Sequence, residues 1–166
     1  MYGTVEEVER AYNSDAPTVV DDCVKQLGFM LTNPNNLDTH FGIKFTFISK
    51  KRVCGILKVS EIMYRDDGSF NSAVNFTIAE SLASFGAFLN VEQGKEASVG
   101  QEINASHISP VTGRYVVGVS TPLFIGKSSH VWNTELRDEF GTLIGLSRCT
   151  VTVIPINKSA PLKSKL

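Results

Sequence analysis

The sequence predicts an α+β domain in which an antiparallel sheet of five or six strands wraps one long central helix, with extra helices at the amino terminus. Three observations predict it. Residues 71–89 form a run of small and apolar residues in which Glu80 is the one charge, a length that suits a long buried helix. Four segments with strand-like patterning follow in quick succession, at about 97–108, 114–125, 129–137 and 142–154. Two more precede the helix, at 41–48 and 53–62.

Taken in order, Thr4 to Asn13 is a short acidic helix. Pro17 to Thr32 carries Val20, Val24, Leu27, Met30 and Leu31 at helical spacing, with Asp21 and Asp22 where the first turn favours acids, so a second helix is expected there. Asn33, Pro34, Asn35 and Asn36 end it. His40 opens the first strand, which alternates from Phe41 to Ile48. Ser49 to Arg52 turns into a second strand from Val53 to Ile62, and Arg65 to Gly68 forms a loop before the long helix. Val91 to Lys95 is the turn after that helix. The last four strands are joined by turns at Ser109 to Gly113, Gly126 to Ser128 and Asp138 to Gly141, the spacing of an antiparallel meander. The chain therefore divides into a helical extension (1–36), the main domain (37–156) and a polar basic tail (157–166).

Composition narrows the function classes. With 16 basic and 17 acidic residues among 166, the net charge is −1, which argues against a nucleic-acid partner, since phosphate binding needs a basic excess. No apolar stretch reaches the ~20 residues of a membrane span. Met1 to Arg10 carries Glu6, Glu7 and Glu9 where a signal peptide would be apolar, so no leader is expected. Cys23, Cys54 and Cys149 are scattered and odd in number; they read as reduced thiols, and with three scattered histidines they offer no metal-ligand spacing. Gly126, Lys127 and Ser128 echo the end of a P-loop, but Thr121 stands where its first glycine belongs. No strand-elbow serine motif is present. The chain ends Ser164, Lys165, Leu166, the peroxisomal address, so the expected location is the peroxisome in a eukaryote and the cytoplasm otherwise.

Glu80 is the residue that most needs an explanation. Helical spacing puts Phe76, Ala79, Ala83 and Ala87 on its face, and a carboxylate on a packed face is costly unless something satisfies or uses it. Four blocks give it a context: Ile78 to Ser84, Gly100 to His107, Pro122 to Gly126, and His130 to Trp132, with Ser147 to Thr150 in the last strand. In this order and spacing the chain resembles the hotdog-fold acyl-CoA thioesterases, in the branch of phenylacetyl-CoA and 1,4-dihydroxy-2-naphthoyl-CoA thioesterases, over about 41–155.

That resemblance implies hydrolysis of an aromatic or medium-chain acyl-CoA to free acid and CoA, with no cofactor, because CoA belongs to the substrate. Glu80 takes the place of the family's base or nucleophile, with Ser84 one turn on as the hydroxyl that positions water or the carboxylate. The family's usual lead into the helix is His-Gly-Gly; here Asn71, Ser72 and Ala73 stand in its place. The Ser72 N–H then becomes the donor to the thioester carbonyl, Asn71 keeps a side-chain donor, and Arg65 replaces the family's Gln or Asn. Gly100, His107, Ser109, Phe124, Gly126, Lys127 and Ser128 line the CoA channel by the same resemblance, Lys127 and Ser128 suiting a phosphate. Partners implied are acyl-CoA and a second copy of the chain, as a homodimer or a dimer of dimers, with each site lined by two chains. The alternative reading is a non-catalytic hotdog domain that binds acyl-CoA or a protein. A hydratase ranks last, because no histidine lies between His40 and His107.

Overall fold

The structure, a computed structural model, describes residues 2–14, 16–19 and 36–156. Its elements are α1 (Val5–Asn13), β1 (Thr18–Val19), α2 (Leu37–His40), β2 (Ile43–Ser49), β3 (Arg52–Lys58), α3 (Ala73–Phe88), β4 (Glu96–His107), β5 (Tyr115–Ile125), β6 (Ser129–Asp138) and β7 (Leu143–Pro155). The strands form one sheet in the order β1-β2-β3-β5-β6-β7-β4. From β3 the chain crosses through α3 to the far edge, lays down β4, and returns to place β5 beside β3.

Apolar alternation drives the layering. Along β6, His130, Trp132, Thr134, Leu136 and Asp138 turn inward and are buried, while the residues between them are partly exposed. The inward face of the sheet meets α3, where Ile78, Leu82 and Phe85 pack with Val53, Leu57, Val116, Leu136 and Ile144. Gly55 and Gly118 lie side by side beneath Leu82; a Cβ on either would sit 2.8 Å or 2.5 Å from a Leu82 methyl, so their lack of a side chain lets the helix close on the sheet. With nine of its sixteen residues buried, α3 is the wrapped helix that the apolar run predicts. Its end is satisfied by side chains: Asn90 Nδ2 donates to the Gly86 carbonyl and Gln93 Nε2 to that of Phe88.

The outer face is covered in part by α1. Thr4 caps it by accepting from the Glu7 N–H, and Val8 packs with Ile56, Tyr115 and Val117 beside Tyr2, Ala11 and Tyr12.

The amino-terminal third departs from the sequence reading in three places. Thr18 and Val19, expected at the start of a helix, instead form β1 and pair in parallel with Phe47 and Ile48. The sheet is therefore mixed and seven-stranded, where five or six antiparallel strands were expected. Two β-branched residues beside the free edge of β2 favour the extended form over the helix that the acidic pair Asp21 and Asp22 suggests. The rest of that expected helix, with Cys23, lies outside the described residues, as does the tail from 157. His40 ends α2, a single turn capped by Asn36, and does not open a strand. The second strand stops at Lys58; Glu61–Met63 is a 3-10 turn.

Candidate active site

Three clusters carry the candidate residues. The first is at the start of α3. Asn71 is pinned by its N–H to the Met63 carbonyl, and its side-chain oxygen accepts from the Ala73 N–H at 3.1 Å. Its carboxamide nitrogen has no acceptor among the described residues. Ser72 caps the helix with φ −60° and ψ −14°, a conformation that serine adopts as readily as glycine. Its side chain makes no capping bond, and its N–H meets no acceptor among the described residues. The loop before it is closed by the Arg65 N–H on the Ser69 carbonyl and by Asp67, which accepts from both the Ser69 N–H and its hydroxyl. Arg65, Ser72, Asn75, His107 and Ser109 share a groove of about 470 Å3, with Tyr64 and Phe70 among its walls.

The second cluster is around Glu80, two turns further along. Glu80 is half-buried, and its Oε1 accepts from the Ser84 hydroxyl at 2.6 Å. The carboxylate leans on β4 at Gly100, where a Cβ would lie 3.3 Å from Oε1. Cys149 of β7 is buried nearby. Burial, with the charges of Glu80 and Glu102, pushes its thiol up to about 11, so it stays protonated at neutral pH and is no nucleophile. Cys149 is accordingly expected to resist iodoacetamide at pH 8 in the folded protein and to react on unfolding, as mass spectrometry of the alkylated chain would record.

The third cluster is past the far end of α3. Gly126, Lys127 and buried His130 share a groove of about 460 Å3 with Glu92 and Glu96. Burial holds the His130 imidazole below its usual range, which favours its neutral form. The Phe124 ring folds over Gly126, and Ser128 lies on the exposed turn, its carbonyl accepting from the Val153 N–H.

One chain does not bring the three clusters together. Eight residues of helix separate Ser72 from Glu80, about 12 Å at 1.5 Å per residue, too far for both to act on one carbonyl. His107 and Ser109 sit at the helix start, Gly100 at Glu80, and Gly126 with Lys127 beyond the helix end. The structure adds Asn75, which the sequence reading passes over: a polar residue three positions after Ser72, hence on the same side of the helix. Among the described residues no three His, Cys, Asp or Glu side chains group as a metal site, and no described helix is long and apolar enough to cross a membrane.

This helix-in-sheet architecture matches known proteins. The thioesterase superfamily model matches residues 67–144. The 1,4-dihydroxy-2-naphthoyl-CoA hydrolase of Listeria monocytogenes is 32% identical over 117 residues, covering 70% of this chain and 94% of that protein. The chain belongs to the thioesterase superfamily. A proofreading thioesterase of Cronobacter turicensis is 29% identical over 123 residues, 74% of this chain and 89% of the relative. The crystal structure of a thioesterase from Haemophilus influenzae superposes with a TM-score of 0.73 at 26% identity, covering 82% of this chain and 94% of that one. The fold is the hotdog fold, and this thioesterase superfamily member is a thioester hydrolase. Every candidate residue except Arg65 falls inside the matched stretch. These three relatives are bacterial, and bacteria have no peroxisome, so they lend no support to the peroxisomal reading of the tail.

Proposed function

We propose that the protein hydrolyses an acyl-CoA thioester to the free acid and CoA, and that Glu80 is the base or nucleophile. The observation that carries this is the arrangement of Glu80: a half-buried carboxylate fixed by the Ser84 hydroxyl, opposite a glycine, on a helix otherwise free of charge. The acyl group is aromatic or medium-chain. The rings of Tyr64 and Phe70 in the groove wall favour the aromatic choice, as does the aromatic acyl group in the name of the Listeria relative.

The carbonyl oxygen of the thioester accepts from the Ser72 N–H, at the positive end of the α3 dipole. Glu80 takes a proton from water as the water oxygen attacks the carbonyl carbon, or attacks that carbon itself to form a mixed anhydride that a water then hydrolyses to the free acid, restoring the carboxylate. The oxygen that becomes negative stays on the Ser72 N–H, the C–S bond breaks, and the thiolate takes up a proton. Because Ser72 and Glu80 of one chain are too far apart, the working pair comes from two copies. The edge strand β4 offers the junction. It spans Glu96 to His107, pairs on one side with β7, is mostly exposed, and carries Gly100 against Glu80. Among the described residues its other edge is unpaired, and an open edge of that length calls for a partner strand. A homodimer follows, with a dimer of dimers as its extension; Lys127 of one of the copies meets a CoA phosphate.

Mixing two inactive variants tests this. Ser72→Pro removes the N–H while keeping φ near −60°, and loss of such a donor lowers kcat about 10²-fold. Glu80→Gln removes the base. Co-refolded in equal amounts, the two are expected to recover roughly a quarter of wild-type thiol release, since half the dimers are mixed and each has one intact site. No recovery, with mixed dimers demonstrated by tagged pull-down, would place the site within one chain.

A further inference from the structure

Among the polar groups of the helix-start groove that the mechanism leaves unused, Asn75 is the buried one. It is 2% exposed, and it sits on α3 one turn beyond Ser72. Its Nδ2 lies 3.3 Å from His107 Nδ1, and the His107 ring stands edge-on to Phe76. Its Oδ1 is closed to water and has no hydrogen-bond partner among the described residues. A buried carbonyl oxygen without a donor is rare in a folded protein, and a wall residue of a binding groove is where such an oxygen has a use. Terminal rotation of an Asn carboxamide is soft, so a small turn presents the oxygen to a ligand without moving the backbone.

Resting on the thioesterase reading, we propose that Asn75 is a specificity-determining residue that accepts a hydrogen bond from a hydroxyl on the acyl group close to the thioester carbonyl. Position argues for it. Ser72 and Asn75 are three residues apart, about 4.5 Å along the helix, so a carbonyl held at Ser72 places its first few neighbouring atoms beside Asn75. Chemistry argues for it as well. With His107 Nδ1 as acceptor, Asn75 Nδ2 has a partner and the oxygen has none, so a ligand that satisfies the oxygen must bring a donor. The wall rings of Tyr64 and Phe70 suit an aryl group, and an ortho hydroxyl on it is a donor only a few bonds from the carbonyl. A site with an acceptor waiting for a donor rejects the analogue that lacks it more strongly than an apolar pocket can.

The test uses 2-hydroxybenzoyl-CoA, 2-methoxybenzoyl-CoA and benzoyl-CoA with the wild type, Asn75→Leu and Asn75→Ser. The readout is the ratio of kcat/KM for the hydroxylated ester to that for benzoyl-CoA. The hydroxyl also changes the intrinsic reactivity of the ester, but that change is common to all three proteins and cancels between them. The ratio is expected to fall about tenfold from wild type to each variant. The methoxy ester, close in shape and without a donor, should be disfavoured by the wild type alone. An unchanged ratio in a variant that melts as a folded protein overturns the inference. If neither variant folds, a wild type that treats hydroxy and methoxy esters alike does the same. A wild type that releases no thiol from any acyl-CoA would refute the thioesterase reading itself, which is a separate result.

Discussion

Replacing Glu80 by Gln is expected to lower kcat for acyl-CoA hydrolysis about a thousandfold, close to 4 kcal/mol of transition-state stabilisation. The substitution keeps shape and packing. A glutamine oxygen can still accept from the Ser84 hydroxyl, and the side chain still fits against Gly100. What it loses is the ability to take a proton or to attack carbon. Melting temperature and association state should therefore match the wild type, which separates loss of chemistry from loss of structure. Thiol release followed with a chromogenic disulfide, over a panel of aromatic and medium-chain acyl-CoAs, makes the measurement. A variant within threefold of wild type on its best substrate would remove Glu80 from the mechanism. Ser84→Ala is the graded companion. It deletes one hydrogen bond to the carboxylate, worth roughly 1 kcal/mol, and should cost about fivefold in kcat. The order Glu80→Gln far below Ser84→Ala is what a base with a positioning hydroxyl predicts; equal losses would assign the chemistry to the pair as a unit.

The sequence makes the sheet and the central helix legible because both carry strong periodic signals. Residues 71–89 have no period-2 pattern and no charge but Glu80, and the helix is found at Ala73–Phe88, within two residues of expectation. The four strands after it lie within one or two residues of their expected ends, since Gly and Pro-bearing turns punctuate them. The amino terminus is harder. Thr18 and Val19 pair with the edge of β2, a contact far away in sequence that no local pattern encodes, so helix-favouring acids nearby mislead. Glu80 is conspicuous as a lone charge, and its neighbour at i+4, Ser84, follows from helix geometry alone. Gly100 against Glu80 is different, because it depends on β4 lying beside β7 across the sheet. Asn75 goes unseen for the opposite reason: an uncharged polar residue in a helix attracts no notice until its oxygen is found buried and unpartnered.

Gly86→Ala should destabilise the protein by about 2 kcal/mol, although the same change in an exposed helix interior would add close to 1 kcal/mol. The sign is set by Trp132. A Cβ at position 86 would lie 2.4 Å from Trp132 Cη2, 2.6 Å from Cζ3 and 2.8 Å from Cζ2, well inside van der Waals contact. The indole has nowhere to go: it is fully buried among Ala83, Ala87, Cys149 and Val151. The added methyl must therefore lift α3 from the sheet. For a domain of this size the loss corresponds to a fall in melting temperature of about 4–8 °C. Function should follow structure here, because Glu80 rides on the same helix and its seat against Gly100 moves with it. Trp132→Phe removes the far ring edge that meets position 86, and also the indole N–H, which is buried without a partner among the described residues. In that background Gly86→Ala no longer meets the clash, and its helix-propensity gain should emerge as a small stabilisation. The coupling energy from the four proteins of this cycle, measured by denaturant unfolding, is expected at 1–3 kcal/mol, with Gly86→Ala changing sign between backgrounds. An Ala at 86 that stabilises the protein with Trp132 in place would mean that the helix has slack against the sheet. The spacing that holds Glu80 would then need another cause.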